Sequence, residues 1–157
     1  MHPQPPCSAL ALDVGHRRVG LAGCDPLGVT VTPLPALHRR SSQEDATAIG
    51  ALALRRQARV LVVGLPLDGD QLLTAQARHC LRYGRHLASA LAAQGQEIPL
   101  VWVNEHGSTW AAADRFGLRG DRSGRLDSAA AALLLEQWLR EGSSLDPDSA
   151  LPPPPRC

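Results

Sequence analysis

Lysine is absent from this chain of 157 residues, and aromatic side chains make up only 3% of it. All sixteen basic residues are therefore arginines, and with fifteen acidic residues the net charge of +1 neither favours nor excludes a polyanionic partner. Arginine binds phosphate through two parallel hydrogen bonds, but a bias in genomic composition is the simpler explanation of its exclusive use. The scarcity of aromatics argues against stacking of single-stranded bases as the main binding mode.

No apolar run approaches the roughly 18 residues that a membrane-spanning helix needs. The first residues also lack the basic and then apolar pattern of a secretory signal. The four cysteines, at positions 7, 24, 80 and 157, are too widely spaced to indicate a zinc site or a disulfide framework. These absences predict a cytoplasmic protein with reduced thiols and no membrane association.

The chain is expected to form one domain with loose ends. Residues 1–8 include three prolines and are predicted to be a flexible arm, and residues 9–140 a single folded domain. Residues 141–157 are acidic and then proline-rich, which predicts a disordered tail.

Within the domain, three extended runs precede an alternation of helices and strands. The predicted strands are 9–14, 19–24, 29–37, 59–63 and 100–103, and the predicted helices are 41–57, 72–93, 108–116 and 126–140. Pro33 and Pro35 indicate that the third run is an edge strand. The continuous apolar run at 59–63 is typical of a parallel strand buried on both faces. The predicted fold class is a mixed α/β sheet with helices on both sides.

Three carboxylates stand at the ends of these elements. Asp13 lies near the carboxyl end of the first strand, Glu105 at the corresponding end of the run VWVNE, and Asp127 at the start of the last helix. Functional crevices of open α/β sheets lie outside the carboxyl ends of the strands. Asp127 also shares a helix face with Leu134 and Trp138, which would direct it to the same place.

Three converging carboxylates repel one another unless a cation holds them together. An all-oxygen set suits Mg²⁺ or Mn²⁺, and such ions support phosphodiester hydrolysis. Each residue taken alone has a structural alternative: Asp127 as a helix N-cap, Glu105 as the start of a turn, and Asp13 as part of an Asx-type turn. The set of three favours the metal site over three separate coincidences.

With these residues identified, the chain resembles the YqgF/RuvX family, described as Holliday junction resolvases and as nucleases that process the precursor of small-subunit ribosomal RNA. The resemblance runs from about Leu10 to Leu139. It rests on four segments in order, which are LDVGHRRVGLAGCDP, VVGLPLDGD, VNEHGST and LDSAAAALLLEQWL.

The resemblance implies a ribonuclease H-like fold with a five-stranded mixed sheet and metal-dependent nuclease chemistry. Asp13, Glu105 and Asp127 match the acidic positions of the family, and would be the catalytic and metal-binding residues. Further matches are Gly64, Leu65 and Pro66 in the VGLP turn, the dipeptide Asp68-Gly69, and the pair Ser108-Thr109.

The segment around Glu105 departs from the family, which usually has Asp and Arg on either side of the acid. Here those neighbours are Asn104 and His106, and His106 could contact phosphate only as a hydrogen-bond donor or when protonated. A second departure is His16, which replaces a small hydroxyl residue. The predicted nucleic-acid-binding residues are Arg17, Arg18, His106, Ser108, Thr109, Arg119, Arg122 and Arg125.

We therefore expect a cytoplasmic Mg²⁺- or Mn²⁺-dependent nuclease, monomeric or weakly dimeric, that acts on structured RNA such as the small-subunit rRNA precursor, or on branched DNA. Arginine contacts would hold the phosphate backbone without reading sequence. One alternative is a nucleic-acid-binding module of the same fold with little catalysis. Another is a phosphotransferase related to the sugar kinases and actin, which the short chain disfavours because those folds need a second domain.

Overall fold

The computed structural model describes residues 7–67, 73–105, 115, 117 and 124–142. Within these residues the strands are β1 (Ala9–Val14), β2 (Arg18–Cys24), β3 (Val31–His38), β4 (Val60–Leu65) and β5 (Leu100–Asn104). The helices are α1 (Ser42–Arg56), α2 (Ala75–Ala93) and α3 (Arg125–Glu141).

The strands form one sheet in the order β3-β2-β1-β4-β5. The β1–β2 and β2–β3 pairs are antiparallel, whereas β4 pairs in parallel with both β1 and β5. The predicted mixed sheet is confirmed, and β3 is the edge strand on which Pro33 and Pro35 were expected. Because β1, β4 and β5 run in the same direction, their last residues lie at one edge of the sheet, which we call the carboxyl edge.

Helices cover both faces of the sheet, and the alternation of side chains along β1 separates the two cores. Leu10 and Leu12 pack on the side of α1 and α2, while Ala9 and Ala11 pack on the side of α3. The next β1 residue on the α3 side is Asp13. The same alternation that builds the cores therefore directs this carboxyl group toward α3.

The helix starts are set by local capping. Ser41 caps α1, and its Oγ accepts the N–H of Glu44 at 3.1 Å. Helix α2 begins at Ala75 rather than at residue 72, because Thr74 is its N-cap and accepts the N–H of Ala77 at 3.0 Å.

The start of α3 differs from one of the sequence interpretations. Its N-cap is Gly124, with φ of 95°, and not Asp127. Asp127 lies instead within the first turn, where a carboxylate is favoured by the exposed N–H groups and the helix dipole. The N-cap interpretation of Asp127 is therefore wrong, and its side chain is available for other contacts.

The ends of the described chain are held in place. Ser8, assigned from the sequence to the flexible arm, is buried, and its hydroxyl donates to the carbonyl of Arg56 at 2.9 Å. Glu141 is the last residue of α3, one position beyond the predicted domain boundary. The predicted helix at 108–116 and the tail from 143 lie outside the described residues. Among the residues described, no helix combines the length and apolar character that crossing a bilayer requires.

Candidate functional site

Asp13 occupies the penultimate position of β1, at the carboxyl edge. Its partner across the β1–β2 hairpin is Gly20, and residues directly opposite each other point to the same face. The hairpin turn is closed by a hydrogen bond from the N–H of Gly15 to the carbonyl of Arg18, at 2.9 Å. Asp13 is thus held on a rigid strand rather than on a loop.

Glu105 directly follows β5 and reaches the same edge. Its N–H donates to the carbonyl of Leu65 at 3.0 Å, which extends the parallel ladder by one residue. Val103, two positions earlier, packs in the α3-side core, so the alternation directs Glu105 to the side that carries Asp13. Gly64 leaves room for it, because a Cβ there would lie 3.2 Å from Glu105 Oε2.

The two carboxyl groups share a hydrogen bond. Burial raises the pKa of Asp13 well above its ordinary value, and the neighbouring charges of Glu105 and Asp127 raise it further. Burial also raises the pKa of Glu105, while the hydrogen bond with Asp13 acts in the opposite direction. Both effects on Asp13 act in the same direction, toward its neutral form.

The negative charge of this pair also affects Cys80, which lies on the α2 side of the sheet. Burial, and then the charges of Asp13 and Glu105, raise the pKa of the Cys80 thiol to about 12. Cys80 is therefore a neutral core residue that donates weakly to the carbonyl of Val14, at 3.6 Å.

Asp127 approaches the pair because α3 packs unusually close to β2. A Cβ on Gly20 would overlap the backbone carbonyl of Asp127, so only glycine permits this approach. Ser128 fixes the contact from the helix side, since its buried Oγ accepts the N–H of Leu21 at 3.2 Å. The register of β2 with β3 shifts between Val19 and Leu21, next to this contact.

The side chain of Asp127 is paired with Arg18. Arg18 Nε lies 3.2 Å from Asp127 Oδ2, and both side chains are about one-third exposed, at 29% and 34%. An ion pair at this exposure contributes little to stability, but it fixes the direction in which Asp127 points. The three predicted acidic residues are therefore neighbours, of which two contact each other and the third is held by an arginine.

The three carboxyl groups do not form a closed ligand set. Among the described residues, no three side chains of His, Cys, Asp or Glu are grouped closely enough to hold a metal ion. The donors nevertheless suit a hard divalent cation, because all are carboxyl oxygens and the Asp13–Glu105 pair carries raised pKa values that a cation would relieve.

The remaining predicted binding residues are partly placed. Arg17 is exposed in the turn between β1 and β2, and Arg125 is exposed as the first residue of α3. Both lie on segments adjacent to Asp127. The other five, His106, Ser108, Thr109, Arg119 and Arg122, lie outside the described residues, as does Asp68-Gly69.

Sequence reasoning missed the residues that support the site. Gly20 and Ser128 bring α3 to β2, and Gln137 holds the end of β5, since its Nε2 donates to the carbonyl of Asn104 at 3.0 Å. These contacts join positions far apart in the chain. Only the glycine within an apolar strand was a visible signal, because such a residue often marks a close approach of backbones.

Comparison with known proteins gives consistent results. A family model described as "RuvX: Holliday junction resolvase" matches residues 7–141. A protein of Parasynechococcus marenigrum (strain WH8102) is 63% identical over 146 residues, covering 93% of this chain and 90% of the relative. One from Prochlorococcus marinus (strain MIT 9313) is 60% identical over 142 residues, covering 90% and 85%. Both relatives carry the name "Putative pre-16S rRNA nuclease".

Solved structures share the fold at much lower identity. RuvC of Thermus thermophilus, in complex with a Holliday junction substrate, superposes with a TM-score of 0.52 at 14% identity, covering 88% of this chain and 98% of that one. The yeast mitochondrial Holliday junction resolvase Ydc2 gives a TM-score of 0.50 at 11% identity, covering 88% and 80%. The predicted ribonuclease H-like fold class is confirmed.

Proposed function

Since the chain belongs to the RuvX family, we propose that it is a nuclease that hydrolyses phosphodiester bonds and that its substrate is the precursor of 16S ribosomal RNA. The relatives above 50% identity carry that substrate in their names and are matched over most of their length. Ribosomal precursors of bacteria are processed in the cytoplasm, which is where we place this activity.

The observation that carries the proposal is the buried Asp13–Glu105 pair beside Asp127. Burial raises the pKa of both carboxyl groups, and the charge of Glu105 raises that of Asp13 further, so the pair opposes the stability of the fold. Strained ionisable groups of this kind, located at the carboxyl edge of an α/β sheet, are typical of a reaction centre.

Asp13, Glu105 and Asp127 are the residues that would hold Mg²⁺ or Mn²⁺, and we propose them as the catalytic set. When bound, such an ion supplies Lewis acidity toward a phosphoryl oxygen and the attacking water. To hold the ion, Asp13 would have to be ionised and Asp127 would have to turn from Arg18 toward the other two carboxylates. The guanidinium of Arg18, whose Nε lies 3.2 Å from Asp127 Oδ2, would stand beside a phosphate held at this site.

The chain's own residues define how a substrate would be held. Asp13 on β1 and Glu105 at the end of β5 have little freedom, because ladder hydrogen bonds fix both backbones. Arg18 pairs with Asp127, and Arg17 and Arg125 are exposed on the same two chain segments, so that their positive charge suits the phosphates on either side of the cleaved bond. Contacts of this kind recognise the backbone and not the base sequence.

The test is cleavage of a transcript that contains the 5′ end of the 16S precursor, with Mg²⁺ or Mn²⁺ present. We expect the wild type to cut and Asp13→Asn to lose at least about 10²-fold in rate, the scale on which removal of one charge-stabilising group acts. Asp25→Asn is the matched control, because Asp25 is a half-buried turn residue outside the site whose carboxylate accepts backbone N–H groups of its own turn. An Asp13→Asn variant as fast as wild type would exclude the assignment.

Metal binding has a second readout that does not depend on activity. A cation that binds the folded chain alone raises its melting temperature, by an amount that grows with concentration. We expect Mn²⁺ to raise the melting temperature of the wild type and to have a much smaller effect on Asp13→Asn. An equal shift in both proteins would show that the ion binds elsewhere.

A second candidate substrate is branched DNA, favoured by the description of the matching family. The same assay with a four-way DNA junction distinguishes the two, because preference is measured as a ratio of cleavage rates. A catalytically weak binding module is the remaining alternative. This alternative predicts that the protein binds the RNA but does not cleave it when metal is added. Failure to cut either substrate would exclude the nuclease assignment.

A further inference from the structure

A second basic site lies on the opposite face of the sheet from the carboxylates. It is a pocket of about 260 Å³ between the start of α1 and the first half of α2, which we call the α1–α2 pocket. Its lining residues are Arg39, Arg40, Ser42, Asp45, His79, Arg82, Tyr83 and His86. None of them belongs to the proposed catalytic set.

The pocket has a strong excess of positive charge. Three guanidinium groups line it against one carboxylate, that of Asp45. Both oxygens of Asp45 are engaged within the protein, since Oδ1 accepts the N–H of Arg40 at 2.9 Å and Oδ2 accepts the hydroxyl of Tyr83 at 3.0 Å. Arg40 also lies 3.8 Å from Glu44 in an exposed, weak pair. The single negative charge of Asp45 offsets one of the three guanidinium charges, which leaves the lining with a net positive charge.

Arg39 is held in a fixed position at the inner end of the pocket. Its guanidinium stacks over the Tyr83 ring at 4.4 Å, and Nη1 donates to the carbonyl of Gly15 at 2.7 Å. Nη1 also lies 2.6 Å from Nε2 of His79, which makes His79 the acceptor and hence neutral. Burial and the charge of Arg39 lower the pKa of His79, in agreement with that state. Preorganised arginines lose little entropy when they bind an anion.

The pocket is connected to the strand that carries Asp13. Gly15, the acceptor of Arg39, is two residues from Asp13, and Gln76 of α2 donates to the carbonyl of Val14 at 3.2 Å. The pocket and the carboxyl pair thus lie on opposite sides of one edge of the sheet, separated by the turn at 15–18. A nucleic-acid chain crossing that edge would pass both.

We propose that the α1–α2 pocket binds a phosphate group, and that this phosphate belongs to the backbone of the nucleic acid whose cleavage is proposed above. Arginine forks match the oxygens of a phosphate in pairs. The pocket is below the usual 300–1,000 Å³ range of small-molecule sites, so it suits a phosphate with part of its sugar rather than a whole nucleotide. The inference depends on the proposed function only for the source of the phosphate.

The experiment measures RNA binding in EDTA, where no cleavage occurs, as a function of salt. The pocket variant is Arg40→Ala with Arg82→Ala, two exposed side chains whose loss should leave the fold intact. The control is Arg55→Ala with Arg59→Ala, which removes the same charge at the opposite end of α1. We expect the pocket variant to reduce the slope of log K against log[salt] by about 1, and the control to leave it unchanged.

A second arm uses inorganic phosphate and the histidine resonances. His79 and His86 line the pocket, so phosphate should shift their NMR signals in the wild type and in the control, but not in the pocket variant. Equal salt slopes for both double variants would overturn the proposal. So would NMR signals of His79 and His86 that do not shift when phosphate is added to the wild type. A phosphate shift with an unchanged RNA slope would overturn the assignment to backbone phosphate.

These outcomes are separable from the proposed function. If the protein cuts no substrate but the pocket variant still lowers the salt slope, the nuclease assignment fails and the pocket assignment stands. If cleavage of the RNA precursor is normal in the pocket variant, with an unchanged KM, the nuclease assignment stands and the pocket assignment fails.

Discussion

At the scale of single residues, the site consists of groups that oppose the stability of the fold. Asp13 is a carboxyl group in a partly buried position, and its pKa is raised by burial and by two other acids. Asp25 shows the opposite case, because backbone N–H groups of Thr30, Val29 and Leu27 lower the pKa of its exposed carboxylate. Asp25 is thus an acid whose ionised form stabilises a turn, whereas ionised Asp13 opposes the stability of the fold.

We therefore predict that Asp13→Asn is more stable than the wild type when divalent cations are removed, because an amide is neutral at neutral pH, whereas Asp13 has either to take up a proton or to bury its charge. A gain of about 1 kcal/mol would raise the melting temperature by about 2–4 °C in a chain of this size. Calorimetry in EDTA measures it. Asp25→Asn should give no gain, and a wild type more stable than Asp13→Asn would contradict the electrostatic reading of the site.

Gly20 is the residue whose size decides whether Asp127 reaches the site. We expect Gly20→Ala to destabilise the protein by about 1–3 kcal/mol, the usual effect of overpacking, because its Cβ would meet the backbone of Asp127. Cleavage should fall further than the loss of folded protein explains, because α3 moves away from Asp13. Denaturant unfolding measures the loss of stability, and single-turnover kinetics measures the cleavage rate. A wild-type cleavage rate in the folded Gly20→Ala protein would contradict this role of Gly20.

At the scale of elements, the site depends on how α3 packs on the sheet. Alanines on the helix and small residues on β1 and β2 allow the close approach, among them Ala11, Ala22, Ala131 and Ala132. The buried hydrogen bond from Leu21 N–H to Ser128 Oγ then fixes the first turn of the helix against β2. The helix is thus positioned most strictly at the end that carries Asp127.

Ser128→Ala should destabilise the protein by about 1–3 kcal/mol, because it leaves the Leu21 N–H buried without its acceptor. The control is Thr47→Ala in α1, which removes an exposed hydroxyl that bonds only within that helix and to Gln94. We expect the control to change stability by less than about 0.5 kcal/mol. Equal losses in urea unfolding would show that the hydroxyl of Ser128 does not fix α3.

At the scale of the whole molecule, both faces of the sheet contribute to one edge. The carboxylates lie on the α3 side and the α1–α2 pocket on the other, while the β1–β2 hairpin takes part in both through Asp13 and Gly15. The same hairpin therefore carries one residue of each site.

We predict that acid stability reflects the raised pKa of Asp13. An acid whose pKa is higher in the folded than in the unfolded chain adds stability below its unfolded pKa of about 3.8, and that stability is lost as the pH rises through the folded pKa. The gain in stability of Asp13→Asn over the wild type should therefore be absent near pH 3 and increase toward neutral pH. Unfolding in EDTA across this range measures it, and a pH-independent difference would contradict the assignment.

The sequence by itself determined most of the fold and the identity of the acidic residues. Continuous apolar runs and a proline-marked edge strand are local signals, since each depends on neighbours within a few positions. They predicted the mixed sheet and placed Asp13 and Glu105 at one edge. The helix face shared by Asp127, Leu134 and Trp138 added Asp127 to the set, and the family segments added the nucleic-acid substrate.

Only the tertiary structure decided how these residues meet. The contact of Gly20 with Asp127, the ion pair of Arg18 with Asp127 and the bond from Arg39 to Gly15 join positions distant in the chain. Such contacts depend on side-chain size and direction after packing, which no local pattern encodes. For the same reason, the Arg39–Arg40 pair was visible in the sequence, whereas the pocket it forms with α2 exists only once the helices pack side by side.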